Sequence, residues 1–177
     1  MRLATLLALF ASFATAPAQT STTGVVDVGL TMQAVSLVAI ATPVVGQVCG
    51  PFTCAPLGAP TATTTSLSST RRIRIYGGAN SLWILGLSTT PPSPPCVPFP
   101  GIGNALILGE PLVVVAWGVT GPLLPSPSVA CQQAVATYNL TLPPVAPQVL
   151  PFFLQAVVDS HATGTPAFTV AVRGFAH

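Results

Sequence analysis

The chain has 177 residues, and charged side chains make up only 5% of them, against about 25% in typical soluble domains. It contains no lysine and carries a formal net charge of +2. This excludes a strongly basic nucleic-acid binder, because affinity for phosphate rises with the number of lysine and arginine contacts. The length is enough for one ordinary domain that buries a sizeable core.

The N-terminus has the pattern of a secretory signal peptide. Arg2 supplies a positive charge, an apolar run follows, and Ala16-Pro17-Ala18 fits the small-residue cleavage pattern. We expect residues 1–18 to be removed and residues 19–177 to form one exported domain, in the periplasm or on the cell surface. The alternative is an uncleaved membrane anchor, for which the apolar run is short of the roughly 20 residues that a span needs.

The first segment after this leader, VVDVGLTMQA, alternates between apolar and polar residues. Its period of two places Val28, Leu30 and Met32 on one face, which is the pattern of a half-buried strand. The same alternation runs through 28–48, the best candidate for a membrane-spanning helix, and Pro43 breaks that stretch. We therefore expect no transmembrane helix in the mature chain.

Further segments of the same kind follow along the chain. RRIRIYGGANSLWILGL predicts a β-hairpin, because glycine and asparagine in GGANS accept positive φ at little cost. ALILGEPLVVVAWGV predicts a short strand and then a buried strand over 112–119, AVATYNLTL alternates again, and FFLQAVVD and PAFTVAVRG flank the turn SHATGT. About eight short strands with proline-rich loops predict an all-β fold, a single antiparallel β-sandwich.

The four cysteines are Cys49, Cys54, Cys96 and Cys131. An even number in an exported chain predicts two disulfides. Of the three possible pairings we favour Cys49 with Cys54, because Gly50-Pro51 can close a small loop, and Cys96 with Cys131, which would tie two loops together. A metal site is not predicted, because the spacing is not C-x-x-C and no histidine lies near in the sequence.

Asp159, Ser160 and His161 are consecutive and have the three side-chain types of a hydrolase triad. A serine nucleophile needs a base within hydrogen-bond reach, and that base needs an orienting carboxylate. Adjacent residues point to opposite faces of a strand and splay outward in a turn. The other carboxylates and the other histidine of the mature chain are Asp27, Glu110 and His177. We therefore predict a polar turn, with no catalytic residues, no metal site and no cofactor.

A cluster of three arginines, Arg71, Arg72 and Arg74, is the main charged feature. Alternation places Arg72, Arg74 and Tyr76 on one face, a candidate ligand face for an anionic polysaccharide or a phosphate group. Tyr76 is the aromatic side chain that we expect to be exposed there. The alternative is a solvated edge strand, on which charge discourages pairing with another chain.

Both tryptophans are expected in the core rather than on a sugar-binding face. Trp83 is in phase with Leu85 in its predicted strand, and Trp117 is in phase with Val113 and Val119. Because large aromatic rings contribute most when they are buried with other apolar side chains, these phases favour core packing.

The segments PCVPFPGIGNALILGEPLVVVAWGV and YNLTLPPVAPQVLPFFLQAVVDSHATGTPAFTVAVRG resemble a secreted β-sandwich domain family common in planctomycete-type bacteria. The matching pieces are Pro143-Pro144, Phe153-Leu154-Gln155-Ala156 and the stretch from Ala167 to Arg173. The resemblance lies between Arg71 and the end of the chain, in strands and turns rather than in a catalytic motif. It implies export and a small all-β module, and it brings no activity or functional residues.

These observations favour a non-catalytic secreted or cell-surface module with a structural, adhesive or assembly role, rather than an enzyme. Its expected partners are other copies of the chain or extracellular polymers of the envelope, and not nucleic acid. A carbohydrate-binding module or a small secreted hydrolase is the alternative. An outer-membrane β-barrel is a second alternative, against which the proline-rich connections count.

Overall fold

The computed structural model of the protein describes residues 27–35, 44–52, 70–90, 96–102, 104–125, 131–142 and 150–176. Within these ranges the regular elements are β-strands, and the paired strands are antiparallel. The prediction of an all-β antiparallel fold is confirmed. The predicted signal peptide, Cys54 and His177 lie outside the described residues.

Eight of the eleven described strands have four or more residues. In chain order the described strands are β1 (Gly29–Ala34), β2 (Val44–Gln47), β3 (Thr70–Gly77), β4 (Leu82–Ser88), β5 (Val97–Pro98), β6 (Ala105–Leu106), β7 (Val113–Val119), β8 (Ala134–Thr141), β9 (Leu150–Asp159), β10 (Pro166–Phe168) and β11 (Val172–Ala176).

Two larger sheets and one short ribbon contain all of these strands. The first sheet has the order β2-β1-β3-β8, and the second has the order β10-β9-β4-β7. β11 also pairs with β9, on the edge that β10 uses, so β10 and β11 form one edge strand interrupted at 169–171. β5 and β6 pair only with each other.

The segment GGANS does not close a hairpin, and that prediction is wrong. β3 pairs with β1 and β8 in the first sheet, whereas β4 pairs with β7 and β9 in the second. The connection therefore crosses from one sheet to the other. The N–H of Gly78 donates to the carbonyl of Asp159 over 2.6 Å, and Asn80 adopts a φ of 53°. The residue types of this turn predict positive φ correctly. They allow a connection between two sheets as readily as a hairpin within one sheet.

The inner faces of the two larger sheets share one hydrophobic core, which makes the arrangement a sandwich. Ile73 of the first sheet and Leu154 of the second have no exposed surface. Trp83 of β4 and Tyr138 of β8 contact each other across this core, with ring centroids 6.4 Å apart. The alternation predicted for β1 and β3 is confirmed on the core side, where every second residue is buried.

A smaller hydrophobic cluster lies on the outer face of β9, beneath the β5–β6 ribbon. It contains Phe52, Ala105, Ile107, Phe168 and Ala171. The buried amide of Gln155 accepts from the N–H of Ile107 over 2.7 Å and donates to the carbonyl of Thr169 over 2.8 Å. Asn104 bonds both backbone groups of Phe168, each over 2.6 Å. Side-chain amides thus satisfy backbone groups where the edge strand is interrupted.

Candidate interaction surfaces

Ser160 and Asp27 are joined by a hydrogen bond that links the two sheets. Both side chains are buried, Ser160 directly after β9 and Asp27 just before β1. The Ser160 hydroxyl donates to Oδ1 of Asp27 over 2.8 Å, and Oδ2 accepts from the N–H of Ala162 over 2.8 Å. Oγ of Ser160 also accepts from the N–H of Thr163 over 3.1 Å. These contacts hold the 160–165 loop against the start of the first sheet.

The same contacts answer whether Asp159, Ser160 and His161 form a triad. The described partners of the Ser160 hydroxyl are a carboxylate and a backbone N–H, whereas a nucleophilic serine needs a base such as imidazole. His161 is exposed in the turn. The predicted turn is confirmed, and Gly164 adopts a φ of 64° within it. In the described part of the chain, no cluster of three His, Cys, Asp or Glu side chains could hold a metal ion.

Cys49 is bonded to Cys131, and their Cα atoms are 5.7 Å apart. The pairing that we favoured, Cys49 with Cys54 and Cys96 with Cys131, is therefore wrong. Closeness in sequence suggested a small loop, but the bond joins residues separated by 82 positions. Cys96 is also disulfide-bonded.

The buried side chain of Gln133 shows why these two distant segments meet. Its Nε2 donates to the carbonyl of Asp27 over 2.7 Å and to the carbonyl of Val48 over 2.8 Å. The segments that carry Cys49 and Cys131 are therefore fixed beside each other, next to the residues that precede β1. An amide that satisfies two backbone carbonyls in this way stabilises a junction that sequence spacing does not reveal.

The arginine cluster is divided between the two faces of β3. Arg72 and Arg74 are exposed on the outer face of the first sheet. Arg71 points the other way and is buried, and its Nη2 donates to the carbonyl of Phe175 over 3.3 Å. Desolvation by burial lowers the pKa of the Arg71 guanidinium. Two of the three arginines therefore remain available to a ligand, and the third contacts β11.

Tyr76 is buried, so it is not the exposed aromatic side chain that the sequence predicted. It lies opposite Gly29 of β1 and Val135 of β8, in a strand that has a neighbour on each side. The candidate ligand face on β3 is thus reduced to Arg72 and Arg74, beside the exposed Thr137 and Asn139 of β8.

The prediction that 112–119 forms a buried strand is wrong, as is the prediction that Trp117 lies in the core. Trp117 is 73% exposed, whereas Trp83 is buried as expected. Among the described strands β7 pairs only with β4, at the end of the second sheet. An edge position leaves both faces of β7 far less covered than those of β4.

A β-bulge in β7 explains which side chains it presents. Leu85 lies opposite Ala116 and Gly86 lies opposite Val114, so Val115 is an extra residue on β7. Val115 and Ala116 both pack against the main core. Because two consecutive residues point inward, the alternation reverses at this position. Val114 and Trp117, which differ in parity, therefore lie on the same outer face.

The result is a contiguous apolar surface on the outer side of β4 and β7, here named the β4–β7 patch. Its members are Leu82, Ile84, Leu112, Val114, Trp117 and Val119. Leu82 lies opposite Val119 and Ile84 lies opposite Trp117. Apart from the half-buried Ile84, these side chains are between 46% and 73% exposed. Together they expose on the order of 500 Å², which is in the size range of the largest apolar patch of a soluble monomer, a surface that is often functional.

Comparison with models of protein families, with curated proteins and with solved structures finds no match for this chain. In the described ranges, none of the elements is a helix of the length and apolarity that crossing a membrane requires. Two outer faces of the sandwich are therefore the candidate functional surfaces: the β4–β7 patch on the second sheet, and the face of β3 that carries Arg72 and Arg74 on the first sheet.

Proposed function

We propose that the protein is a non-catalytic exported module that works by surface contact, in adhesion or in assembly outside the cytoplasm. The observation that carries the proposal is the β4–β7 patch, which is apolar, uncharged and exposed at the end of a sheet. The Cys49–Cys131 disulfide is compatible with an oxidising compartment.

The patch is large enough to drive contact by the hydrophobic effect. At about 25 cal/mol per Å², removing roughly 500 Å² from water contributes about 12 kcal/mol before the costs of association are subtracted. Those costs are of similar size, roughly 4–15 kcal/mol. A patch of this kind therefore supports contact that is reversible when single molecules meet and strong when many copies act together.

The polar groups that could have supported the hydrolase alternative have structural partners instead. Asp27 accepts two hydrogen bonds and Ser160 makes one with Asp27 and one with Thr163. The Ser160 hydroxyl donates its hydrogen bond to a buried carboxylate and so helps to hold its own loop, which favours an anchoring role. This supports a binding role over acyl transfer.

Cell-surface display tests the proposed function. Bacteria that display the chain should adhere to one another and to alkyl-coated glass, and Trp117→Thr should reduce both kinds of adhesion at equal display level. Val44→Thr is the control for losing an exposed apolar side chain outside the patch. Val44 is exposed to nearly the same extent as Val119 of the patch, but it lies on β2 of the other sheet. Adhesion that is unchanged in Trp117→Thr would contradict the proposal. So would hydrolysis of an ester or peptide panel that Ser160→Ala abolishes.

A second candidate function is binding of an anionic polysaccharide on the first sheet. It is favoured by Arg72 and Arg74, which are exposed two residues apart on the same face of β3. Arg74→Gln should weaken binding to an acidic polysaccharide and reduce its dependence on salt, because one fewer cation meets the polymer. Arg173→Gln is the control with the same change of charge at a different place. The Arg173 guanidinium lies over the rings of Phe153 and Phe175, away from the candidate ligand face on β3.

A further inference from the structure

The edges of the two sheets are not equally protected against contact with another chain. On the far edge of the second sheet, the strand is interrupted after β10 and Asn104 covers the backbone of Phe168. β2, at an edge of the first sheet, has only four residues. β7 has seven residues and, like β8 at the other edge of the first sheet, contains neither a charged residue nor a proline. Charge, proline and short length are the usual means by which an edge is protected.

The bulge at Val115 makes the face of β7, rather than its backbone edge, the surface suited to contact. An extra residue interrupts the regular spacing of backbone donors and acceptors along a strand, and it increases the local twist. Among the side chains, the bulge places Val114 on the face that carries Trp117 and Val119, instead of Val113 and Val115, which a regular strand would place there. The bulge that disfavours strand addition therefore leaves this face apolar.

We infer that a second copy of this chain covers the β4–β7 patch, so that the protein forms a two-fold symmetric, reversible dimer through the outer faces of its second sheets. The inference rests on the proposed function and names its partner. Two patches of about 500 Å² would bury on the order of 1,000 Å² in total, which is at the lower limit for a specific interface. This size indicates a weak dimer rather than an obligate one.

The charge distribution favours a second copy over a differently charged partner. The patch itself contains no charged side chain, so two identical patches meet without repulsion between like charges. The exposed arginines of β3 lie on the first sheet, on the opposite side of the sandwich. The exposed Arg173 of β11 lies on the outer face of the second sheet but beyond β9, outside the patch. The patch contains no arginine and the chain contains no lysine, so the patch itself offers no cation to an anionic membrane surface. An isologous contact also needs only one kind of surface, because each copy presents the same patch to the other.

Two-fold symmetry gives Trp117 a defined position in such a dimer. The Leu82–Val119 and Ile84–Trp117 pairs make an apolar surface two strands wide. When two sheets pack face to face they lie about 10 Å apart, which leaves room for interdigitated side chains between them. Trp117, as the largest and most exposed member, would fill the gap between side chains of the other copy.

Sedimentation velocity of the protein purified from the periplasm tests the inference. We expect the weight-average sedimentation coefficient to rise with concentration across the micromolar to millimolar range. Val119→Thr should weaken the dimer at least tenfold and Trp117→Thr should abolish it, whereas Val44→Thr should leave it unchanged. Circular dichroism of each variant verifies that it is folded.

Three outcomes would overturn the inference: a monomer at every concentration, a dimer that Trp117→Thr leaves intact, or equal weakening by Val44→Thr and Val119→Thr. The failure of the dimer is distinguishable from the failure of the proposed function. A monomer whose displayed form still binds alkyl-coated glass through Trp117 retains the contact function and has a different partner. A monomer that shows no such binding contradicts both.

Discussion

The hydroxyl of Ser160 donates a 2.8 Å hydrogen bond to Oδ1 of Asp27, although the two residues are 133 positions apart in the chain. One residue precedes the first described strand of one sheet, and the other begins the loop after the longest strand of the other sheet. The bond therefore fixes the relative position of the two sheets at one end of the sandwich. It gives a structural role to Ser160, the candidate nucleophile of the Asp159-Ser160-His161 motif, with Asp27 as its partner.

Replacing Asp27 with asparagine should destabilise the fold. An amide carries an NH2 group in place of one carboxylate oxygen, so either the Ser160 hydroxyl or the N–H of Ala162 faces a donor instead of an acceptor, and a donor is left buried without a partner. We expect the free energy of unfolding to fall by about 1–3 kcal/mol, measured by urea denaturation with the disulfides intact. Asp159→Asn makes the same chemical change at a half-buried position and should change stability by less than about 0.5 kcal/mol. Equal effects of the two variants would contradict the anchoring role.

The disulfide between Cys49 and Cys131 should be detected directly by peptide mapping without reduction. Cleavage after Phe52 separates Cys49 from Cys54, so the two candidate pairings give different linked peptides. A linked peptide that contains Cys49 and Cys131 is expected. Because the bond closes a separation of 82 residues, replacing both cysteines with alanine should lower the free energy of unfolding by about 4–5 kcal/mol. Recovery of a Cys49–Cys54 or Cys96–Cys131 link would refute this connectivity.

The amide of Gln155 should be as important to the second sheet as a core residue. It bonds the backbone of Ala105, Ile107 and Thr169, and Gln155→Leu leaves all three groups buried without that partner. A loss of about 2–4 kcal/mol is expected, since each unsatisfied buried group costs about 1–3 kcal/mol and partial relaxation is possible. Gln132→Leu, at a half-buried position, serves as the control. Thermal or urea denaturation in which both variants match the parent protein would show that Gln155 has no such role.

Period-two alternation was enough to predict the strands that lie within the sheets. In β3, Ile73 and Ile75 are buried and Arg72 and Arg74 are exposed, as alternation requires. The final hairpin with its turn at Gly164 was also predicted from local residue types. These features depend on neighbours in the chain, so their physical causes are present in a short stretch of sequence.

The features that were missed depend on contacts between distant residues. A turn sequence such as GGANS reverses the chain equally well within a sheet or between sheets, and the choice depends on where Gly78 finds a partner for its N–H. The bulge at Val115 is visible only when β7 is paired with β4, and without it Trp117 appears to share a face with Val113. The partner of Cys49 likewise depends on the junction that Gln133 forms. The absence of charge from 112–119 was the one local signal of the patch, and burial explains that signal equally well.

The most direct test of the central claim is collisional quenching of the two tryptophans by iodide, at a concentration low enough to keep the protein monomeric. The chain contains only Trp83 and Trp117, and the first is buried whereas the second is 73% exposed. We expect one quenchable, red-shifted component and one protected component, and Trp117→Phe should remove only the first. If both tryptophans resist iodide, or if Trp117→Phe leaves the quenchable component in place, the exposed patch does not exist and the contact function and the dimer are both contradicted.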